Sequence, residues 1–562
     1  MLSFYNHFSW FVFLFCLLIV RLLVSLYVSF INQSLYISFP LFNMWGIDNS
    51  VSFYFDFMSS WFFSIITLIS TVIMIYSFFY IAPYSKSIYF LWITVLFVVS
   101  MLIVVSMSNL FYLMLGWDGL GLVSFFLIVF YQNQSSITSG LFTLIINRIG
   151  DCFFLVTIVI FYFTSFDLTA THYHVPTFLT ILFLLITFIT KRAIFPFSPW
   201  LPLAIAAPTP ISALVHSSTL VTAGLFLIIR FSYILYSSFF ITKFILILRV
   251  YTSFYAGMNT LFEKDLKKLI ALSTLRHLGF IGIAFSVGLI YLAFFHMLTH
   301  ALFKSLLFIT IGDIIINLNH SQDIRYLSTG MLITPFSCLI IYVSLINLLG
   351  IPNIRGYFSK DLVLEIINYS QSSSLLTFII FCNVAFTYYY TYQLFFYSFQ
   401  SRKINPYQIF HAPLTIHAFL LFMIAMFSLF FGFFYISTIY SFILFCPVPS
   451  LFKFMPVILN LSFFISLVIF LGFYISKSKF LNYYFSQIIF LSTFIMSVSS
   501  NIHITLAHSL VKTRELGFFN YILNNFPSQV FLTVSKATYS KVLLNPIKFS
   551  VYSSLILLLF IL

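Results

Sequence analysis

The sequence is short of charge. Only 7% of its 562 residues are Asp, Glu, Lys or Arg, against about 25% in an ordinary soluble protein, and only twelve are acidic. A chain of this length with so little charge cannot cover a water-facing surface. That excludes a soluble multidomain protein, a disordered chain and a nucleic-acid-binding protein together. Cysteine is scarce as well. The five cysteines (Cys16, Cys152, Cys338, Cys382 and Cys446) are scattered through apolar stretches without a Cys-x-x-Cys pair. This argues against zinc, iron–sulfur and disulfide frameworks, and each reads as a small packed hydrophobe. No hydrophilic stretch is long enough for a domain that holds a nucleotide or a flavin. A cleavable signal is not expected either, since the apolar run 8–30 is too long for one and carries Arg21. An Arg- and Ser-rich transit peptide is equally missing.

What the chain has is hydrophobicity, 62% of residues, with 79 phenylalanines. Phenylalanine has T-rich codons, and its heavy use fits a chain made inside an organelle. Apolar windows begin at 8–31, 52–83, 88–106, 108–131, 141–166 and 176–190. After a Pro-rich passage at 196–210 they continue through 211–240, 241–262, 268–291, 293–316 and 331–350. The last are 362–397, 412–446, 452–475, 479–507 and 549–562. In lipid only a helix satisfies its own backbone, and the strands of a barrel would alternate apolar and polar. The expected fold is therefore an all-α polytopic membrane protein with about 15–16 transmembrane helices. The net charge of +14 is assigned to basic loop ends facing anionic lipids such as cardiolipin; nucleic acid is not an expected partner.

Two passages break the helical pattern beside a charge: 191–199, from Lys191 to Pro199, and 350–361, from Gly350 to Asp361. A proline inside a span frees carbonyls and leaves half-helix ends in the membrane. Paired broken helices mark transport sites and often belong to inverted repeats. Two surface turns are the plain alternative. The segment 509–548 is too polar to span, with Lys512, Arg514, Glu515, Lys536, Lys541 and Lys548. It is expected to lie along an interface or along neighbouring helices.

Each acidic residue in so apolar a chain invites a reason. Asp118 stands in the string Leu115-Gly116-Trp117-Asp118-Gly119-Leu120-Gly121, inside an apolar run. A carboxylate at mid-span costs about 2.5–3.5 kcal/mol on insertion scales and calls for a basic partner. Lys191, at the first break, is the expected one. A desolvated lysine can release its proton and a nearby carboxylate restores the charged form, so the pair makes a proton switch. Arg148, Arg192 and Arg230 stay charged and read as fixed cations, with Arg148 close enough in sequence to pair with Asp151. His216, among Ser217, Ser218 and Thr219, suits a proton relay, although a buried histidine can be merely hydrogen-bonded. His296, His300 and Lys304 recur at i, i+4 and i+8, on one helix face. No carboxylate accompanies them at ligand spacing, so a metal is not expected. Lys267 starts a span as either an interface anchor or a stop on a proton path. Lys360, beside Asp361, completes the set.

Several strings resemble one family: LGWDGLGLVSF (115–125), NRIGD (147–151), WLPLAIAAPTPISALVHSSTLVTAG (200–224), DLKKLIALSTL (265–275), FFHMLTHALFKSLLF (294–308), SQDIR (321–325) and GYFSKDLVLE (356–365). They resemble the antiporter-like membrane subunits of respiratory complex I. The resemblance implies two inverted five-helix repeats with broken helices, a C-terminal lateral helix and a final anchor. It divides the chain into N-terminal helices at 1–106, a first repeat at 107–240 and a second at 241–446. Further helices follow at 447–507, then a lateral segment at 508–548 and an anchor at 549–562.

It also implies a proton path at mid-membrane through Asp118, Lys191, His216, Lys267, Lys304 and Lys360, which His296 and His300 join by their spacing. The implied function is proton translocation coupled to NADH oxidation, within a mitochondrial inner-membrane complex. Its partners would be the other membrane-arm subunits, above all neighbouring antiporter-like ones. The chain itself is expected to hold no cofactor; NADH, FMN, iron–sulfur clusters and ubiquinone would sit on other subunits. Arg192, Ile194, Arg276 and His277 depart from the family pattern. A free-standing cation/proton antiporter and a non-conducting scaffold are the two other readings.

Overall fold

A computed structural model describes residues 2–31, 33–44, 47–81, 86–165, 178–318, 320–328, 334–350, 356–369, 374–399 and 418–429. The chain divides into two compact units, Met1–Ile489 and Phe490–Leu562, and the described residues belong to the first.

Among the described residues, the apolar runs long enough to span become helices. Helix α1 (Leu2–Ile31) leaves Phe13, Leu23 and Phe30 exposed, an outward face suited to lipid or to a partner subunit. Helices α2 (Phe57–Ile81), α3 (Ser87–Ser106), α4 (Leu110–Ile128) and α5 (Gln134–Ser165) follow as neighbours. Helix α6 (Phe178–Lys191) ends at the first break, where a short helix α7 (Trp200–Leu203) resumes. The next span has three parts: α8 (Thr209–Ile211), a π-helical segment (Ser212–Thr219) and α9 (Leu220–Arg230). After α10 (Ser232–Tyr236) come α11 (Phe239–Thr260), α12 (Leu266–Ser286) and α13 (Ile290–Asn317). Helix α14 (Pro335–Leu349) leads to the second break; α15 (Leu362–Tyr369), α16 (Ser374–Phe399) and α17 (Ala418–Leu429) complete the described part.

Among the described residues nine helices are long and apolar enough to cross a bilayer, with three shorter apolar helices beside them. The expected windows at 452–475, 479–507 and 549–562, and the lateral segment 508–548, lie outside the described residues. The core is the span 209–230 together with α13, whose most apolar windows are 100% buried. A polar side chain within those windows therefore faces protein.

One element departs from the purely helical expectation. Residues Leu35–Met44 (β1) and Ile47–Phe55 (β2) form an antiparallel hairpin with a register shift between Pro40 and Phe42. The sequence window starting at 52 merged the end of β2 with α2, because Phe53 and Phe55 are as apolar as the helix that follows. The hairpin is tied to the bundle at the start of α4. Ser108 N–H donates to the Ser52 carbonyl at 3.0 Å. Asn109 donates to the Ser50 carbonyl at 3.2 Å and accepts from Phe111 N–H, which caps α4.

Both breaks occur where proline or glycine demands them. The first runs through Pro196 and Pro199. At the second, Gly350 ends α14 in the left-handed region at φ +78°, open to glycine at little cost. Gly356 then starts a tight helical turn so close to α14 that a Cβ there would come within 1.8 Å of the Asn347 carbonyl oxygen. Glycine is thus required twice in seven residues to carry the chain from α14 into the π-helical segment Tyr357–Asp361.

Candidate functional site

The first group of charges gathers where α4, α5 and α6 meet. Helix α5 presents Arg148 and Asp151 one turn apart, and their ion pair at 3.5 Å is the one their spacing suggests. The end of α6 brings Lys191 to the same place. Its Nζ lies 3.5 Å from Asp151 Oδ1, donates to the Trp117 carbonyl oxygen and sits 3.9 Å from the Trp117 ring centroid. Lys191 is fully buried, and Asp151 nearly so.

The expected direct pairing of Asp118 with Lys191 is therefore replaced. Asp118 pairs with Arg148 at 3.5 Å, and Asp151 on the neighbouring helix reaches the lysine. The reason is geometric: residues 117 and 118 point in directions about 100° apart on a helix, and it is Trp117 that turns toward Lys191. Asp118 retains a through-space pull on the lysine. Its side chain is 35% exposed, so it lies at the outer edge of the group.

Beyond the break, the π-helical segment carries His216 into the core. A π turn widens the helix by one residue and is a frequent mark of functional sites. His216 Nε2 lies 3.3 Å from the Ala204 carbonyl, its ring is tilted on Trp200, and Nδ1 has no hydrogen-bond partner among the described residues. The segment packs on α13, which holds the next group.

On α13, His296, His300 and Lys304 share one face, as their spacing requires, and all three are buried. The residue that organises them is His277 on α12. Its ring lies 5.9 Å from His296 and 5.6 Å from His300. Arg276 Nη2 sits 3.2 Å from His277 Nε2. Both ring nitrogens of His300 and Nε2 of His296 lack a hydrogen-bond partner among the described residues. Lys304 donates to Ser273 Oγ at 2.6 Å and lies 5.3 Å from the Tyr390 ring centroid. His277 had registered in the sequence only as a departure from a family pattern; its place one turn from Ser273, on a helix packed on α13, shows what it contacts.

The second break continues from there. His296 Nδ1 is 3.0 Å from Ser359 Oγ. The adjacent Lys360 donates to Thr387 Oγ1 at 3.2 Å and lies 4.8 Å from the Tyr388 ring. Both Asp361 oxygens are buried without a hydrogen-bond partner among the described residues. The two breaks thus present the same chemistry, a buried ammonium over an aromatic ring with a buried carboxylate close by. The first ammonium makes an ion pair; the second takes a hydroxyl. Buried polar atoms with spare lone pairs or protons are what a transient chain of water would join.

Lys267 is buried at the start of α12, away from lipid, which disfavours the interface-anchor alternative. Just ahead of it, the loop 261–265 is clamped to the strand-like stretch 322–324: Leu266 N–H donates to the Gln322 carbonyl at 2.8 Å and Ile324 N–H to that of Lys264 at 2.9 Å. Glu263 in this loop is 5% exposed, and burial pushes its carboxyl up to about 7, against a smaller opposing pull from Lys268. The folded form therefore keeps a proton that the unfolded form gives up near 4.5. Stability from this group is complete below pH 4.5 and is lost as pH rises through about 7, by roughly 3 kcal/mol. Glu263→Gln should flatten the pH dependence of thermal stability of the assembled protein between pH 5 and 7. An unchanged pH profile would show that this carboxyl ionises freely.

With this geometry in hand, known proteins give the setting. A family model described as NADH:quinone oxidoreductase/Mrp antiporter, TM, matches residues 107–387, which contain the site residues above from Asp118 to Asp361. The NADH-ubiquinone oxidoreductase chain 5 of Anopheles gambiae is 38% identical over 410 residues, covering 70% of this chain and 70% of that one. The chain belongs to the NADH-ubiquinone oxidoreductase chain 5 family. The chain 5 relative from Locusta migratoria is 42% identical over 354 residues, 62% of each chain. Two solved structures share the fold. The Mrp complex from Dietzia sp. superimposes with a TM-score of 0.72 at 20% identity, over 93% of this chain and 59% of that one. Respiratory complex I from Thermus thermophilus gives 0.62 at 17% identity, over 77% and 93%. An antiporter-like chain 5 is thus a multi-pass protein of the mitochondrial inner membrane, and its family is that of a subunit in an oxidoreductase complex.

Proposed function

We propose that this chain moves protons across the mitochondrial inner membrane as a membrane-arm subunit of NADH:ubiquinone reductase. Its route would be Asp118, Asp151 and Lys191, then His216, then the His277, His296 and His300 group with Lys304, and finally Lys360. Lys267 would supply the middle of the route from the loop side. The observation that carries this reading is the concentration of buried, titratable, incompletely hydrogen-bonded side chains at two helix breaks and between them. A protein retains groups this costly inside a membrane when they do work there. The chain itself performs no redox step in this reading; flavin, iron–sulfur and quinone chemistry belongs to other subunits. Neighbouring membrane-arm subunits and anionic lipids such as cardiolipin cover the exposed apolar faces.

Lys304→Met tests it. Lys304 has no ion-pair partner among the described residues, so its removal orphans no charge. Removing a positioned proton donor should slow transfer on the order of 100-fold. Protons moved per NADH oxidised, measured in vesicles and normalised to assembled complex, should fall. An unchanged ratio would take Lys304 and the central route out of the mechanism.

A further inference from the structure

The centre of the proton route holds one charge that the route does not use. Arg276 stands at the middle of α12 and is buried. The spanning window of that helix is 94% buried, so the guanidinium faces protein and not lipid. Its Nη2 sits 3.2 Å from His277 Nε2. A guanidinium only donates, so that nitrogen accepts and the ring proton of His277 is on Nδ1. Nε and Nη1 of Arg276 have no hydrogen-bond partner among the described residues. Its Cζ lies 4.8 Å from the centroid of the Tyr390 ring.

Lys304 is docked on the same group. Its Nζ shares the Tyr390 ring with Arg276, which puts the two cations no more than about 10 Å apart. Its hydroxyl partner Ser273 lies one turn before Arg276 on α12. The charge of Arg276 reaches Lys304, and Lys360 at the second break as well. Around Lys304 stand His277 from α12, His300 and His296 from its own helix, and Lys360 with Asp361 from the second break. Of the other elements packed on α13, the segment 212–219 carries His216, α2 carries Tyr76 and Tyr80, α9 carries Arg230, and α14 carries Cys338 and Tyr342; none of them carries a carboxylate. Asp313, on α13 itself, is about 13 Å further along the helix. No carboxylate among the described residues forms an ion pair with Lys304 or Arg276.

The three lysines of the route therefore stand in different fields. Lys191 touches Asp151, and Asp361 acts on Lys360. The fixed charge next to Lys304 is positive. A guanidinium cannot shed its proton to escape burial. At about 10 Å or less, with an effective dielectric of about 20, it weakens a neighbouring base's hold on a proton by on the order of tenfold or more. A buried cation kept for packing alone is ordinarily paired, and this one is not. We propose that Arg276 is a positioning residue of the proton route: its fixed charge keeps Lys304 from trapping a proton, so that the centre is occupied only in passing between the two helix breaks. It holds His277 neutral by the same means, since a protonated ring would bring N–H against N–H. The inference rests on the route proposed above and adds to it what drives the proton onward.

The test compares Arg276→Gln with the wild type, as pumping per assembled complex in vesicles over a range of pH. Glutamine can still donate to His277 Nε2 and removes only the charge. The ratio of variant to wild type should be about one tenth in acid medium and climb toward one as the pH is raised. A proton held too tightly leaves again when the medium is poorer in protons. Arg276→Lys, which keeps a cation, should lie between glutamine and the wild type. Arg276→Ser serves if the glutamine variant does not assemble. A ratio that stays flat across the range would overturn the role, because a merely structural arginine changes the amount of complex and not its pH profile. So would a lysine variant that tracks glutamine. Failure of the route itself reads differently: Lys304→Met would then pump normally, whatever the variants of Arg276 do.

Discussion

Lys191→Met should leave the complex assembled and nearly abolish its proton pumping. The lysine is the one ammonium at the first break, buried over the Trp117 ring and 3.5 Å from Asp151. At that distance the pair is worth about 5 kcal/mol at an effective dielectric of about 20, enough to decide whether the lysine holds its proton. Assembly should survive because Asp151 is not orphaned by the change: Arg148 stays 3.5 Å from its other oxygen. Lys191→Arg should fail as well. A guanidinium never releases its proton, and its planar head must enter a site shaped for an ammonium beside the already crowded Arg192. Pumping in vesicles, scored against complex on native gels, is the measurement. Normal pumping by assembled Lys191→Met would remove this residue from the route.

Much of this architecture is legible in the sequence for one reason: a span is a one-dimensional signal. Long apolar runs mark α2 through α13, and Pro196 and Gly350 mark the breaks, because lipid allows no other use of such segments. The hairpin at 35–55 escaped because most of it falls between the apolar windows 8–31 and 52–83, and its last residues, Phe53 and Phe55, read as the start of α2. The site was legible in its residue types and less so in its pairings. Asp118 and Asp151 both stand in recognisable strings, and composition cannot say which of two helices turns its carboxylate toward Lys191. That depends on the rotation of α4, which points Trp117 inward. The face shared by His296, His300 and Lys304 follows from spacing on one helix. His277 could not be joined to it without knowing that α12 packs on α13.

The exchange of partners between the two carboxylates gives the last prediction. Asp151→Asn should stall proton transfer far more than Asp118→Asn. Asparagine keeps the shape of either side chain and removes the charge. At position 151 the change takes away the carboxylate that touches Lys191, in a buried setting where no solvent substitutes for it. The lysine is then left with the Trp117 carbonyl and ring, and its charged form loses its main support. The proton cycle should slow on the order of 100-fold per assembled complex. At position 118 the change removes a partner of Arg148 at a site one-third exposed, where an ion pair is worth little, about 0–1 kcal/mol. Arg148 keeps Asp151, and the cost should stay under about tenfold. Asp118→Glu, which keeps the charge, should pump nearly as the wild type. A purely structural role for these pairs makes a different forecast: both Asn variants would lower the amount of complex and leave pumping per complex intact. If Asp118→Asn stalls pumping as fully as Asp151→Asn does, the carboxylate that controls Lys191 is the outer one after all, acting through Arg148 and not by contact.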